Sequence, residues 1–112
     1  MLDVSASVVV VISMLPSSEK AAEIARVLVE ERLAASVNLV PQIRSIYRWK
    51  GSVHDEIETL AIAKTTAERA EALHARLIAL HPYQLPEVLA LQVSGGHAPY
   101  LEWVGASVTE RG

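Results

Sequence analysis

The 112-residue chain contains no cysteine and no phenylalanine. Without cysteine it has no disulfide bonds, no thiolate metal ligands and no cysteine nucleophile, and this composition fits a cytosolic protein. Without phenylalanine, small aliphatic and β-branched side chains have to fill the core. The aromatic residues are few enough for each to be a candidate for a specific role: Tyr47, Trp49, Tyr83, Tyr100 and Trp103.

Positive charge is also sparse. The chain has 10 Lys and Arg and 13 Asp and Glu, which gives a net charge of −3, and the basic residues are scattered along the sequence. A nucleic-acid partner needs an electropositive surface, so the composition argues against one. The N-terminal apolar run, Val8 to Met14, is too short to span a bilayer and lacks the basic flank of a secretory signal. We therefore expect no membrane association and a cytoplasmic location.

The sequence is 51% hydrophobic and 21% charged, which is enough for one folded domain that spans residues 1–112. Strand and helix patterns alternate in the order β-α-β-β-α-β, followed by a further short helix. This order predicts an α+β, ferredoxin-like fold with an antiparallel sheet and both long helices on one face. A β-branched run at 8–12 indicates the first strand, and the first helix starts at 16–19. A long strand follows at 35–49, in which Pro41 indicates an edge or a bulge, and after a turn at 50–52 the chain returns as a strand at 57–65. The second helix starts with a capping box at 65–68 that begins with Thr65 and ends at His81-Pro82, and a strand at 88–93 and a helix opened by Pro99 complete the order.

The second strand looks too long for its own domain. Residues 35–49 span roughly 50 Å in extended form, whereas a compact chain of this length has a diameter of roughly 35 Å. The hairpin should therefore project, and Tyr47 and Trp49 alternate in phase with Leu39 and Ile43, which predicts one apolar, aromatic face. Because an exposed ribbon of this kind is marginal in water, we predict that a second copy of the chain covers it.

Four histidines raise the question of a metal site. His74 and His81 are seven residues apart and would share a helix face, but the helical rise separates them by roughly 10 Å. Two ligands of one ion, at bond lengths of about 2 Å, must lie closer. We expect no high-affinity transition-metal site within one chain, and a site shared between subunits remains open.

The segment from His81 to Glu87 differs from the other loops, because two prolines stiffen it. Rigid loops that hold ionisable and aromatic groups often form binding sites, so His81, Tyr83 and Glu87 are candidates. Lys64 alternates with apolar residues in the third strand, and a covered lysine would need a carboxylate partner, for which we predict Glu87. A structural ion pair, a binding role and catalysis all remain open for this group.

Five further motifs lie in register along nearly the whole chain with those of one known family. They are Leu33-Ala34-Ala35-Ser36-Val37-Asn38, Ser45-Ile46-Tyr47-Arg48-Trp49-Lys50-Gly51, Lys64-Thr65, His81-Pro82-Tyr83 with Pro86-Glu87, and Tyr100-Leu101-Glu102-Trp103. On these motifs the chain resembles the CutA divalent-cation tolerance proteins.

The resemblance implies a cytoplasmic homotrimer of ferredoxin-like subunits, joined by strand pairing and long hairpins, with an architecture similar to PII-like signalling proteins. The hairpin residues at the trimer interface would be Ile43, Tyr47 and Trp49. It also implies ligand clefts between subunits, with lining residues carried over by motif: Trp49, Lys64, His81, Tyr83 and Glu87.

Copper binding is proposed for some members of that family, and this sequence departs from them at possible ligands. Ser36 stands where a cysteine is common, and Ile12 lies near a second such position, so we expect no copper site with sulfur ligands. Lys50 replaces an acidic residue that is common before the turn glycine. His81 then remains as the candidate ligand for a weakly bound divalent metal, copper or zinc.

Three functions follow as hypotheses. The first is a non-enzymatic trimer that acts in divalent-cation tolerance and binds a metal or a small ligand in its clefts. The alternative is a PII-like signalling module that binds a small anionic effector near Lys64. The third is a small enzyme, which would depend on His81 and Glu87 as an acid–base pair. The sequence contains no nucleophile elbow and no glycine-rich phosphate loop, so we predict no enzyme.

Overall fold

The computed structural model describes residues 7–109. The four strands form one antiparallel sheet in the order β2-β3-β1-β4. This arrangement confirms the predicted α+β, ferredoxin-like fold. No helix among residues 7–109 is long and apolar enough to cross a membrane. The elements are β1 (Val8–Leu15), α1 (Ser18–Glu30), β2 (Ser36–Trp49), β3 (Ser52–Thr66), α2 (Ala67–Leu80), β4 (Val88–Gln92) and α3 (Ala98–Val108).

The main core lies between one face of the sheet and the two long helices. Alternate side chains of β1 point to this face, as strand geometry requires, and they are buried against apolar residues spaced three and four apart on α1 and α2. We call this the helix face of the sheet. The buried cluster comprises Val9, Val11, Leu15, Ala21, Ile24, Leu28, Leu33, Ala34, Ala63, Leu73 and Leu77.

The opposite face of the sheet, which we call the open face, is covered only in part. Helix α3 packs there against Val8 and Ala35 through Leu101, Val104 and Val108. Pro99 lies in the first turn of α3, as predicted. Beyond that helix the open face carries exposed leucines on β4, so one side of the single subunit remains apolar and accessible.

The β2–β3 hairpin projects from this body, as predicted. Its pairing continues without interruption from Ile43 opposite Glu58 to Trp49 opposite Ser52. The molecule measures 49 × 28 × 21 Å and has a radius of gyration of 14.9 Å, above the value of about 13 Å for a compact chain of this length. Lys50 and Gly51 close the hairpin with φ of 50° and 81°, as a two-residue turn that matches strand twist requires.

A one-residue bulge corrects the predicted phase of the hairpin. Between Val40 and Ile43 the register shifts by one residue, and Gln42 has φ of 62°. Leu39 pairs with a residue of the helix face, whereas Tyr47 and the other odd-numbered residues beyond the bulge point to the open face. A one-residue shift exchanges the two faces of a strand. The prediction that Leu39 and Tyr47 share a face was therefore wrong.

The start of α2 is also one residue later than predicted. Thr66 caps the helix, since its hydroxyl accepts from the Arg69 amide. Thr65 is fully buried, and its hydroxyl donates to the Leu33 carbonyl at 2.7 Å. The helix ends at Leu80 with His81 as its C-cap, so His81-Pro82 marks its end as predicted.

Candidate functional site

A cavity of about 560 Å³ lies between the outer hairpin and the loop that joins α2 to β4. The strands place their open-face side chains on one wall, and the proline-stiffened loop supplies the other. Three aromatic residues and three carboxylates line the cavity: Tyr47, Trp49, Tyr83, Glu56, Glu58 and Glu87.

Two tyrosine–glutamate hydrogen bonds lie at the cavity, one within the hairpin and one between the loop and the hairpin. Tyr47 donates its hydroxyl hydrogen to Glu56 at 2.5 Å, and Tyr83 donates to Glu58 at 2.7 Å. The hydrogen bond to Glu56 raises the pKa of Tyr47 to about 12, with burial as a smaller cause. Burial first, and the bond to Glu58 second, raise the pKa of Tyr83 well above its ordinary value. Both phenols therefore stay protonated at neutral pH and act as donors.

Glu58 is the most buried carboxylate of the cavity, with only 7% of its surface exposed. Arg48 also lines the cavity, but within residues 7–109 no ion pair joins it to Glu58 or to the other cavity carboxylates. Burying a carboxyl group without a counter-charge is costly. The pattern Glu-Ile-Glu at 56–58 is typical of an exposed strand, so Glu58 was not among the residues that the sequence predicted for the site.

His81 lies behind the cavity wall and is held by both of its ring nitrogens. Nδ1 accepts from the Tyr83 amide at 3.2 Å, so Nε2 carries the hydrogen and donates it to the Met14 carbonyl at 2.8 Å. Burial lowers the pKa of His81, and the bond to Met14 partly opposes this. Neither nitrogen has a free lone pair, so the geometry gives no support to His81 as a metal ligand or as an acid–base partner of Glu87.

Lys64 lies elsewhere on the open face. It pairs in register with Val10 and Ser36, and its ammonium group donates to the side-chain oxygen of Asn38. The predicted ion pair with Glu87 was therefore wrong, because Glu87 precedes β4 and lines the cavity instead. Of the five predicted cleft residues, the structure places three at this cavity, Trp49, Tyr83 and Glu87, with His81 directly behind it.

The cavity carboxylates do not converge on a point. Among residues 7–109 no three His, Asp or Glu side chains lie close enough to hold one metal ion. What the site offers is a set of separated acceptors between aromatic surfaces. Such a site can bind a ligand through hydrogen bonds and stacking.

Comparisons with known proteins agree on one family. The family model described as CutA1 divalent ion tolerance protein matches residues 9–107. The divalent-cation tolerance protein CutA of Thermus thermophilus is 50% identical over 95 residues, which cover 85% of this chain and 92% of that protein. Human protein CutA is 50% identical over 95 residues, 85% of this chain, but this is only 52% of its own length. The crystal structure of CutA from Xylella fastidiosa has a TM-score of 0.90 at 43% identity, and the match covers 92% of this chain and 99% of that one.

Proposed function

The chain belongs to the CutA1 divalent ion tolerance protein family, and from that premise we propose that it supports tolerance of divalent metal ions as a non-enzymatic homotrimer. In this trimer the hairpin of one subunit packs on the next, and the cavity becomes a cleft between subunits. The exposed apolar surface of the single subunit is the observation that carries the proposal.

Exposed apolar side chains of this surface lie on three elements: β4, α3 and the hairpin. Leu89 and Leu91 on β4 are 53% and 49% exposed, and on α3 the rings of Tyr100 and Trp103 lie 5.5 Å apart with nearly half of each residue exposed. The aromatic face of the hairpin adds Tyr47. Soluble monomers rarely expose apolar patches of this extent, and such patches usually mark contacts between proteins. A second and third copy of the chain would cover them.

Size-exclusion chromatography with light scattering tests the assembly. The expected particle has three times the 12.2 kDa mass of the chain and stays intact at micromolar concentration. A well-folded particle of single-chain mass at that concentration would remove the trimer and the second wall of the cleft.

Direct metal binding enters the proposal only as a weak, carboxylate-based interaction. No preformed cluster of three His, Asp or Glu ligands exists within residues 7–109, and the chain has no cysteine to supply a thiolate. A divalent ion would therefore have to draw carboxylates such as Glu56 and Glu87 together, or take them from two subunits. Both demands lower affinity, because the ligands are not preorganised.

Calorimetric titration with Cu(II) and Zn(II) tests this part. We expect dissociation constants weaker than about 1 μM, and Glu87→Gln should weaken binding further. His81→Ala should leave the metal affinity unchanged once circular dichroism has shown that the variant is folded. Tight binding that is lost in His81→Ala would contradict the carboxylate assignment.

A second candidate function rests on Lys64. Its ammonium group is bound to the neutral Asn38, and among residues 7–109 no carboxylate forms an ion pair with it. In a PII-like module, a neighbouring subunit would enclose this lysine and a small anionic effector would bind there. A thermal-shift screen of nucleotides and carboxylate metabolites tests the idea, because a ligand at 100 times its dissociation constant stabilises by about 2.7 kcal/mol. The Lys64→Gln variant should lose any such shift.

We also propose a cytoplasmic location, which the absence of cysteine supports. Fractionation of cells that express the tagged chain tests it, and recovery of the protein outside the cytoplasmic fraction would contradict it.

A further inference from the structure

The buried carboxylate of Glu58 sets a requirement that the described chain does not meet. It is 7% exposed, and within residues 7–109 it accepts one hydrogen bond, from the Tyr83 hydroxyl. Its ionisable neighbours include the Tyr83 phenol, which stays protonated, and His81, whose two nitrogens are already engaged. Arg48 lines the same cavity. No Lys or Arg within residues 7–109 forms an ion pair with Glu58. A positive charge supplied from outside the subunit would offset part of the cost of burying this group.

The cavity beside Glu58 has the size and walls of a small-molecule site. Its volume of about 560 Å³ falls within the usual range of ligand pockets. Aromatic rings of Tyr47, Trp49 and Tyr83 line it, and ring faces attract ammonium groups. Trp49 already shows this contact, because the Lys50 ammonium nitrogen lies 5.5 Å from its ring centroid.

The same geometry favours an organic cation over a bare metal ion. A metal ion needs several oxygen ligands within about 2.0–2.6 Å, and the cavity carboxylates do not form such a cluster. Glu56 and Glu58 also each accept a phenol hydrogen. An ammonium group carries N–H donors that can reach separated acceptors, and a hydrocarbon stem can pack on the rings between them.

We propose that this cavity binds a small organic cation, a primary amine or diamine, with its ammonium group paired to Glu58. Glu56 and Glu87 provide acceptors for a second amino group, and the stem lies against Tyr47 and Trp49. The inference rests on the proposed trimer only for the outer wall of the cleft. It adds a ligand class to the site, and it does not require the protein to bind metal.

Calorimetric titration of the full chain with 1,4-diaminobutane tests the proposal. The control ligands are 1,4-butanediol, which has the same length without charge, and succinate, which has the opposite charge. We expect saturable binding of the diamine alone. Glu58→Gln keeps the shape and the acceptor for Tyr83 but removes the charge, and it should weaken binding at least tenfold. Glu71→Gln makes the same charge change on the exposed surface of α2 and should bind as the wild type does.

Equal binding of diamine and diol would overturn the proposal, as would an unchanged affinity in Glu58→Gln. If Glu58→Gln does not fold, Glu87→Gln replaces it, since Glu87 is exposed and its loss should weaken binding of the diamine but not that of a monoamine. Light scattering on the same samples separates the two proposals. A trimer that binds no amine overturns this one, because a neighbouring subunit then supplies the charge. A monomer that binds the diamine overturns the trimer and supports the ligand class.

Discussion

At the scale of single residues, two buried hydroxyl groups of the core differ in what they contribute. Ser13 is 1% exposed, and its hydroxyl has no hydrogen-bond partner within residues 7–109, whereas Thr65 donates to the Leu33 carbonyl. Ser13→Ala should leave the free energy of unfolding unchanged or raise it by up to about 1 kcal/mol. Thr65→Val should lower it by about 1–3 kcal/mol, because the carbonyl loses its donor.

Urea denaturation at one fixed protein concentration measures both effects, since the stability of an assembled protein depends on concentration. Similar losses in Ser13→Ala and Thr65→Val would show that the serine hydroxyl also makes a hydrogen bond in solution.

The Tyr47–Glu56 hydrogen bond makes a prediction about high pH. The folded pKa of Tyr47 is about 12, against an ordinary value of 10.0. Because the folded value is the higher one, the bond contributes stability fully below pH 10, and this contribution is lost as the pH rises towards 12. Spectrophotometric titration should show two late-ionising tyrosines, Tyr47 and Tyr83. One of them should move towards 10 in Glu56→Gln, and both should stay in place in Glu71→Gln. Two late ionisations in all three proteins would contradict the assignment of one of them to the Tyr47–Glu56 bond.

The sequence predicted three residues of the site but not the residues that they contact. Trp49, Tyr83 and Glu87 could be predicted, because a stiffened loop and an overlong hairpin are local features. Glu58 was missed, since its burial depends on Tyr83, which lies 25 positions further along the chain. Lys64 was given the wrong partner because alternation along a strand defines a face but not the distance along that face.

At the scale of elements, the bulge in β2 shows where pattern reading fails. Pro41 predicted an edge strand or a bulge, and both are present. The consequence for the faces did not follow from the sequence, because a proline is also compatible with an edge strand that keeps its register. The bulge is what points Tyr47 and Trp49 towards the cavity. Without it, they would share the helix face with Leu39 and the cavity would lose two of its aromatic walls.

The turn of the hairpin allows a matched pair of glycine substitutions. Gly51 has φ of +81°, which side chains with a Cβ rarely adopt, although open space surrounds it. Gly51→Ala should therefore lower the free energy of unfolding by about 1 kcal/mol through backbone strain alone. Gly95 also faces open space and does not have a positive φ. Gly95→Ala should be neutral or stabilising by a few tenths of a kcal/mol. Denaturation that ranks the two variants in the reverse order would contradict the turn geometry.

At the scale of the whole molecule, the length of the second strand compared with the diameter of a compact chain predicted that the hairpin projects. A strand of 14 residues and a partner of 15 cannot fit within a body of about 13 Å radius of gyration, and the longest dimension is 49 Å. The sequence predicts that a second copy covers the aromatic face of the hairpin, with Tyr47 and Trp49. Both faces carry exposed apolar groups, among them Tyr47 on the open face and Ile46 on the other, so variants on both faces test this prediction.

Truncation of one apolar side chain on each face decides between them. Trp49→Ala removes a large ring from the open face, where the proposed trimer buries it, and loss of a buried aromatic costs about 3–5 kcal/mol. Symmetry repeats that loss in every subunit. We expect light scattering to show dissociation of Trp49→Ala at concentrations where the wild type is assembled, while circular dichroism shows the subunit fold to be retained.

Ile46→Ala is the matched control, because Ile46 lies three positions away on the opposite face and is 65% exposed. It should leave both the mass and the fold unchanged. If Ile46→Ala dissociates the particle and Trp49→Ala does not, the hairpin docks through its helix-side surface. The cavity would then remain open to solvent on the assembled protein, and the neighbour could not form its outer wall.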